Sequence, residues 1–269
     1  MATLRNTVTS TSVLTSLGGT VANTDTLIFQ EGGTRYLSGG GLTAYDLTAI
    51  EFTEGFRGRL DAALGGNLQV VVNQTGTGYV VNRSPSERID MRSSSVSGVI
   101  NKLTHSGTGT MGLTFAACPL LIQTSGTMIV GDDANVTTLV LDGPTAALNL
   151  DTEASYAVTL IEANQGVGRI GRPFTTMNVR RAKVTLDSSS IAATTLSLDG
   201  GELYVKNAAT VGTFNGRAGL IDFTLAERVP VFTTSLHHPG LTIRLRWGQA
   251  TPTWGTLTAT YGDAKVVRV

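Results

Sequence analysis

The stretch TTLSLDGGELYV (Thr194–Val205) joins two short strand-like runs at an Asp-Gly-Gly sequence, and its first seven letters almost recur as TTLVLDG (Thr137–Gly143). Side chains of a strand point alternately to its two faces, so Leu196 and Leu198 share one face. The same Leu pair, followed by the same Asp-Gly turn, therefore occurs twice. This echo indicates a repeat that organises a large part of the chain.

The central apolar residues of the strand-like runs recur at intervals typical of a β-solenoid. Successive steps are 18, 21, 19, 17, 24 and 23 residues, and the anchors are Leu121, Leu139, Leu160, Val179, Leu196, Leu220 and Ile243. The two TTL runs are 57 residues apart, which three turns of one winding account for. Each solenoid turn carries two or three short strands and lies about 4.8 Å above the previous turn. The spacing thus predicts an all-β fold, a single-stranded parallel β-helix.

The alternative fold is an antiparallel β-sandwich or jelly roll, which also consists of many short strands. Few two-residue Asn-Gly or Asp-Gly hairpins with clean alternation occur in this chain. Pro144 follows Asp142-Gly143, and proline suits a solenoid corner better than a returning paired strand. These features favour the solenoid.

One short helix is predicted as an excursion from the strands, in SPSERIDMRSS (residues 84–94). Ser84 is a suitable N-cap, Pro85 suits the first helical position, and Glu87 can complete a capping box.

The domain organisation follows from the need to cover both open ends of a solenoid. We expect an N-terminal arm or cap over 1–25, the solenoid over 26–247, and a tail over 248–269 that packs on a neighbouring subunit.

Composition excludes several function classes. The 269 residues are 41% apolar and only 15% charged, with 20 basic and 20 acidic side chains, so there is no electrostatic drive toward nucleic acid or a membrane surface. The sequence contains no run of about 18 apolar residues, so no membrane-spanning segment is predicted. Cys118 is the only cysteine, and the N-terminus lacks the pattern of a secretion signal, which together predict synthesis in a cytoplasm.

Acidic residues at strand ends do not predict catalysis. Asp142 and Asp199 follow the Leu pairs of the two nearly identical segments, and three turns of a solenoid separate them by about 14 Å. A glycosidase pair must lie within about 5 to 9.5 Å, so these two carboxylates are too far apart. The other acids of this type, Asp151, Asp187 and Asp222, are expected to act in turns. We therefore predict that the chain is not an enzyme.

No cofactor or metal site is predicted. GTGTMG (residues 107–112) matches a dinucleotide fingerprint in form, but a strand-like run follows it instead of the required helix. His237 and His238 precede Pro-Gly and are read as a solvated turn, with His105 and Cys118 elsewhere in the sequence. GDDAN (residues 131–135) lacks the ligand spacing of a full calcium loop.

Four residues are candidates for contact with a partner protein. Arginine outnumbers lysine 16 to 4, and arginine is the cation enriched at interfaces. In LTIRLRW (residues 241–247), Ile243, Leu245 and Trp247 are predicted on one face, with Arg244 and Arg246 on the other, where they can meet carboxylates. Val140 takes the outward place that Ser197 has in the later copy, and Trp254 lies in the predicted tail.

The N-terminal third contains the phrases ANTDTLIFQEGG, GGGLTAYDLTAIEFTEGFRGRL and NLQVVV, and the later part reads TLSLDGGELYVKNAATVGTF. In the order and the residue character of these segments, the chain resembles virion proteins of tailed bacteriophages that fold as β-solenoids and decorate or cement the capsid. The resemblance implies a protein of the virion surface that binds the major capsid protein lattice as a homo-oligomer, with a trimer expected. Two other readings are a receptor-binding fibre or adhesin module that binds glycans, and a carbohydrate-active enzyme.

Overall fold

The computed structural model describes residues 3–5, 20–22, 24–30, 47–54, 68–71, 79–83, 89–92, 99–114, 116–131, 133–151, 156–188, 191–207, 209–228, 230–250, 252–259 and 264–269. Throughout these ranges the regular secondary structure is β-strand, with no helix. No helix there is long and apolar enough to cross a membrane. The strand pairings with an assigned register are all parallel, which confirms the β-solenoid and makes the jelly-roll alternative unnecessary.

The chain divides into two compact units, Met1–Thr137 and Thr138–Val269. The described residues of the first form ten strands: β1 (Thr3–Arg5), β2 (Thr26–Phe29), β3 (Ala49–Phe52), β4 (Leu68–Val71), β5 (Tyr79–Asn82), β6 (Ile89–Arg92), β7 (Lys102–His105), β8 (Thr110–Thr114), β9 (Ala117–Gln123) and β10 (Thr127–Val130). One sheet has the order β1-β2-β3-β5-β7-β9. The other has the order β4-β6-β8-β10. From β3 onward, successive strands alternate between the two sheets, so each turn supplies one strand to each.

The second unit contains most of β11 and the eight strands after it: β11 (Asn135–Leu150), β12 (Val158–Ile170), β13 (Phe174–Val179), β14 (Lys183–Leu186), β15 (Ile191–Val205), β16 (Ala209–Asp222), β17 (Val231–Leu245), β18 (Thr253–Ala259) and β19 (Lys265–Arg268). We call sheet 1 the sheet formed by β13, β18 and the N-terminal halves of the long strands. Sheet 2 consists of β14, β19 and the C-terminal halves. The long strands β11, β15 and β16 pass the corner between the sheets at a register shift.

The core of the second unit is a stack of aligned columns. In sheet 1, Leu139 pairs with Ile161, Ile161 with Met177, and Met177 with Leu196, so the two TTL runs are three turns apart as predicted. In sheet 2, a second column contains Leu148, Gly168, Val184, Leu203, Ile221 and Ile243.

Several predicted anchors do not lie in one column. Val179 is buried but pairs with Leu198, two residues beyond Leu196. Leu220 and Ile243 lie in sheet 2, whereas Leu196 lies in sheet 1. Leu160 and Leu220 lie half-buried on the outward side, beside the buried Ile161 and Ile221.

Glycines make the corner that follows Leu198. Gly200 and Gly201 have φ angles of 109° and 74°, and Gly219 in the next turn has 101°. A Cβ atom at Gly219 would lie 2.6 Å from the carbonyl oxygen of Gly201, so neighbouring turns approach too closely for any side chain. The Asp-Gly-Gly sequence therefore turns the chain, and the second strand-like run begins the next side of the solenoid, because Leu203 and Val205 return to the core.

Two local predictions were wrong. The segment predicted as a helix contains strand β6, in which Ile89 and Met91 are both fully buried and so follow a two-residue period. Its pairing with β4 and β8 outweighs the local capping signal; residues 84–88 lie outside the described ranges. Trp247 does not share the buried face of Ile243 and Leu245, because β17 ends at Leu245 and the indole is 72% exposed.

The ends of the chain belong to the solenoid where the structure describes them. Thr3–Arg5 of the predicted arm pairs with β2. Strands β18 and β19 of the predicted tail pair with β17 as a further turn. The boundary at residue 248 is therefore wrong as an end of the solenoid, since main-chain pairing continues beyond it.

Candidate functional site

The two carboxylates predicted at strand ends, Asp142 and Asp199, lie within the long strands β11 and β15, at the corner between sheet 1 and sheet 2. Asp142 and Asp199 directly follow Leu141 and Leu198, which lie in one column three turns apart. Both carboxylates are exposed. Among the described residues, no group of three or more His, Cys, Asp or Glu side chains converges as a metal site would require.

The prediction that His237 lies in a solvated turn was wrong. His237 is in strand β17, is only 6% exposed, and packs edge-on against Trp254 with ring centroids 4.5 Å apart. Its neighbour Phe214 lies 5.8 Å away, so the imidazole belongs to an aromatic cluster of the core. In GTGTMG, residues 107–109 form a turn and residues 110–112 begin β8. The Nε2 atom of the buried His105 lies 3.1 Å from the carbonyl oxygen of Gly109 in this turn. Burial lowers the pKa of His105.

Two of the four candidate contact residues have partners within their own chain. The carboxylate of Asp222, 3% exposed, accepts hydrogen bonds from the backbone and hydroxyl of Thr224 and lies 3.2 Å from Arg244 Nη1. Arg244 thus meets a carboxylate, as its position suggested, but an internal one. Trp254 stacks on Phe232 with centroids 4.4 Å apart and remains partly exposed.

The other two candidates face outward. Arg246 is exposed just beyond the end of β17. Val140 lies in the outward column of sheet 1 that continues through Glu162, Asn178 and Ser197, so its predicted equivalence to Ser197 is confirmed.

The outer face of sheet 1 carries a polar groove of about 250 Å³ that the sequence analysis did not identify. We define the polar groove by six side chains from three successive turns: Asn178, Arg180, Ser197, Asp199, Asn215 and Arg217. A signal for it exists in the sequence, since NVR (residues 178–180) and NGR (residues 215–217) are N-x-R motifs two turns apart. The register needed to align them is visible only in the structure.

Glu162 lies one turn before the polar groove and positions two side chains of the groove, Asn178 and Arg180. The Oε1 atom of Glu162 accepts a hydrogen bond of 2.7 Å from Asn178 Nδ2, and Oε2 accepts one of 2.6 Å from Arg180 Nη1. Arg180 Nη1 also donates to Asn164 Oδ1. This end of the groove is therefore held in place before any ligand arrives.

The outer face of sheet 2 is an ion-pair surface. Asp187 lies 2.6 Å from Arg169 Nε and 3.3 Å from Lys206 Nζ. Burial alone raises the pKa of Asp187, but the hydrogen bonds and charges of Arg169 and Lys206 outweigh it, and the net pKa is lowered. In the same face, a hydrogen bond of 2.7 Å to Glu202 raises the pKa of Tyr204 to about 12. These side chains pair with one another and leave few charges for a partner.

The last described turn of the second unit exposes apolar side chains. We call Trp247, Val266 and Val269 the terminal surface; they are 72%, 56% and 55% exposed. The backbone N–H of Trp247 donates to the carbonyl oxygen of Val269, which brings the two residues together. Within the described ranges of this unit, β18 and β19 have an assigned pairing only with β17, so one edge of each has no partner among the described residues.

No protein-family model matches the chain, and no curated protein or solved structure matches it.

Proposed function

We propose that this chain is a structural, non-enzymatic protein of the phage virion that decorates the capsid and stabilises its lattice as a homotrimer. The proposal follows from the resemblance to capsid decoration and cement proteins and from the solenoid fold. A rigid stack of parallel turns offers extended, regular faces, which suit binding to a regularly repeating lattice. Its location would be the outer surface of the virion.

The terminal surface is the observation that supports the oligomer most directly. Open strand edges invite pairing with another chain, and proteins normally cover or charge them. Here the edges of β18 and β19 that have no partner among the described residues lie in the same turn as the exposed Trp247 and Val266. Aromatic side chains are enriched at interfaces. We assign this surface to contact with neighbouring copies.

The oligomer is tested by the molar mass of the purified protein in solution. The proposal expects about three times 28.1 kDa for the natural chain. Trp247→Ser with Val269→Ser should yield monomers. The matched control is Val167→Ser, which removes a valine 52% exposed on the outer face of sheet 2 and should leave the mass unchanged. A monomeric natural protein would contradict the trimer.

The lattice role is tested with capsids from which the protein has been removed. Added protein should sediment with them and raise the temperature at which they open. If it neither binds nor stabilises them, the decoration role is wrong. The absence of enzymatic activity is tested separately by incubation with acidic and neutral polysaccharides, in which any shortening of the chains would contradict it.

A second candidate function is a receptor-binding module of a tail fibre that recognises glycans. The polar groove favours it, because amide, hydroxyl, carboxylate and guanidinium groups are the partners that sugar hydroxyls use. The two roles are separable, since the polar groove and the terminal surface share no residue.

A further inference from the structure

We propose that the polar groove is a binding site for a linear glycan that lies along the solenoid axis and spans three turns. This inference does not depend on the structural role above; it deepens the second candidate function, glycan recognition, and rests on it. It rests on the register of the strands, on the hydrogen bonds of Glu162, and on the free polar groups of the groove.

The groove consists of one aligned column of polar side chains and a second set of polar side chains beside it. Asn178, Ser197 and Asn215 lie in register on successive turns. Arg180, Asp199 and Arg217 each follow one of these residues by two positions and line the groove beside them. The register shifts at this point, because Asp199 pairs with Ala218, so these three side chains are not aligned turn on turn. Neighbouring turns are about 4.8 Å apart, and residues two apart along a strand are separated by about 6.6 Å. A chain of sugar rings running across the turns would meet a new pair of polar groups at each turn.

The groove combines rigid and unoccupied groups. Glu162 holds Asn178 and Arg180 through its two oxygens, and Asn178 keeps its amide oxygen as an acceptor. The remaining four side chains make no hydrogen bond or ion pair with any other described residue; they are Ser197, Asp199, Asn215 and Arg217. All four are at least partly exposed. A ligand can therefore bind them without breaking an existing contact among the described residues.

The mixture of groups indicates the class of ligand. Asp199 accepts hydrogen bonds only, Arg217 donates only, and the amide of Asn215 does both, which matches hydroxyl groups that donate and accept. Arg180, Asp199 and Arg217 give the groove charges of both signs, so both neutral and acidic glycans are included in the test. The groove also lies on the face of a sheet, where no open strand edge is offered to a peptide.

The test uses the full-length protein and soluble linear polysaccharides of two kinds. Neutral probes are dextran and mannan, and acidic probes are polygalacturonate and alginate. Affinity electrophoresis and titration calorimetry report binding. We expect the natural protein to bind at least one of the four, with an affinity that falls at least about tenfold in Asn215→Ala combined with Arg217→Ala.

A second variant keeps the test valid if the first folds poorly. Ser197→Tyr fills the middle of the groove from an outward position, and Thr185→Tyr places the same ring on the outer face of sheet 2. Glycan binding should be lost in the first and retained in the second. The inference is overturned if none of the polysaccharides binds, or if Ser197→Tyr binds as well as Thr185→Tyr does. Trp247→Ser with Val269→Ser should retain glycan binding, which separates this result from the outcome for the oligomer.

Discussion

Leu139 and Leu196 lie in one core column of sheet 1, separated by Ile161 and Met177 alone. All four side chains are 1% exposed or less. The steps between them are 22, 16 and 19 residues, so the column is regular although the sequence spacing is not. The core is therefore built from equivalent positions on successive turns, and neighbouring positions along the strand face opposite environments.

The contrast between adjacent residues predicts a large difference in stability. Leu198 is fully buried, whereas Ser197 faces outward and has no side-chain partner among the described residues. We expect Leu198→Ala to lower the free energy of unfolding by about 2 to 5 kcal/mol, since it leaves a cavity. Ser197→Ala should change it by about 0.5 kcal/mol or less. Urea unfolding followed by circular dichroism measures both, and equal losses would contradict the assigned faces.

The corner glycines predict a position-dependent cost of adding a methyl group. Gly248 has a φ of 73° with nothing within 4 Å of an added Cβ, so Gly248→Ala meets only backbone strain of about 1 kcal/mol. Gly219→Ala adds a contact of 2.6 Å with the Gly201 carbonyl oxygen and should cost about 3 kcal/mol or more. Thermal unfolding of the two variants compares them. Equal stability of Gly219→Ala and Gly248→Ala would contradict the close approach of Gly219 to the Gly201 carbonyl oxygen of the neighbouring turn.

The ion pairs of Asp187 predict a dependence of stability on pH. The pKa of Asp187 is lowered in the folded state, so its contribution is present above the unfolded pKa of about 3.9 and is lost as the pH falls through the folded value. Because Arg169 and Lys206 are half-exposed, we expect Asp187→Asn to cost only about 0.5 to 1 kcal/mol at neutral pH.

The measurement is urea unfolding of the natural protein and of Asp187→Asn between pH 2.5 and 7. The difference between the two should be constant near neutrality and shrink below about pH 4. Asp199→Asn is the control, because Asp199 is exposed and has no partner among the described residues. A difference that grows on acidification would contradict the lowered pKa.

The buried cysteine predicts resistance to thiol reagents. Cys118 is fully buried, and burial raises its pKa to about 12, so its reactive thiolate is scarce at neutral pH. In the native protein at pH 7.5, we expect a chromogenic disulfide reagent to label Cys118 at least about a hundredfold more slowly than in 6 M guanidinium, where one thiol per chain should react. Equal rates would show that this part of the first unit is open to solvent.

The sequence alone was sufficient to predict the class of fold. Alternating Leu runs such as the one around Leu196, glycines at the corners, and the recurrence of TTL together predict a parallel solenoid, because each of these signals is local in the chain. The separation of Asp142 from Asp199 followed from the same count of turns. The residues that face the core could be read wherever alternation was clean.

The tertiary structure alone decided the register, and with it the polar groove. Ile161, not Leu160, joins the core column because corners of different length shift the phase of alternation, and this shift depends on how each turn packs on the previous one. Segment 84–94 carries a helical capping pattern, yet pairing with neighbouring turns makes Ile89–Arg92 a strand. The motifs NVR and NGR become one site only when two turns of main-chain hydrogen bonds align them, since contacts between distant residues are formed by stacking and not by local sequence.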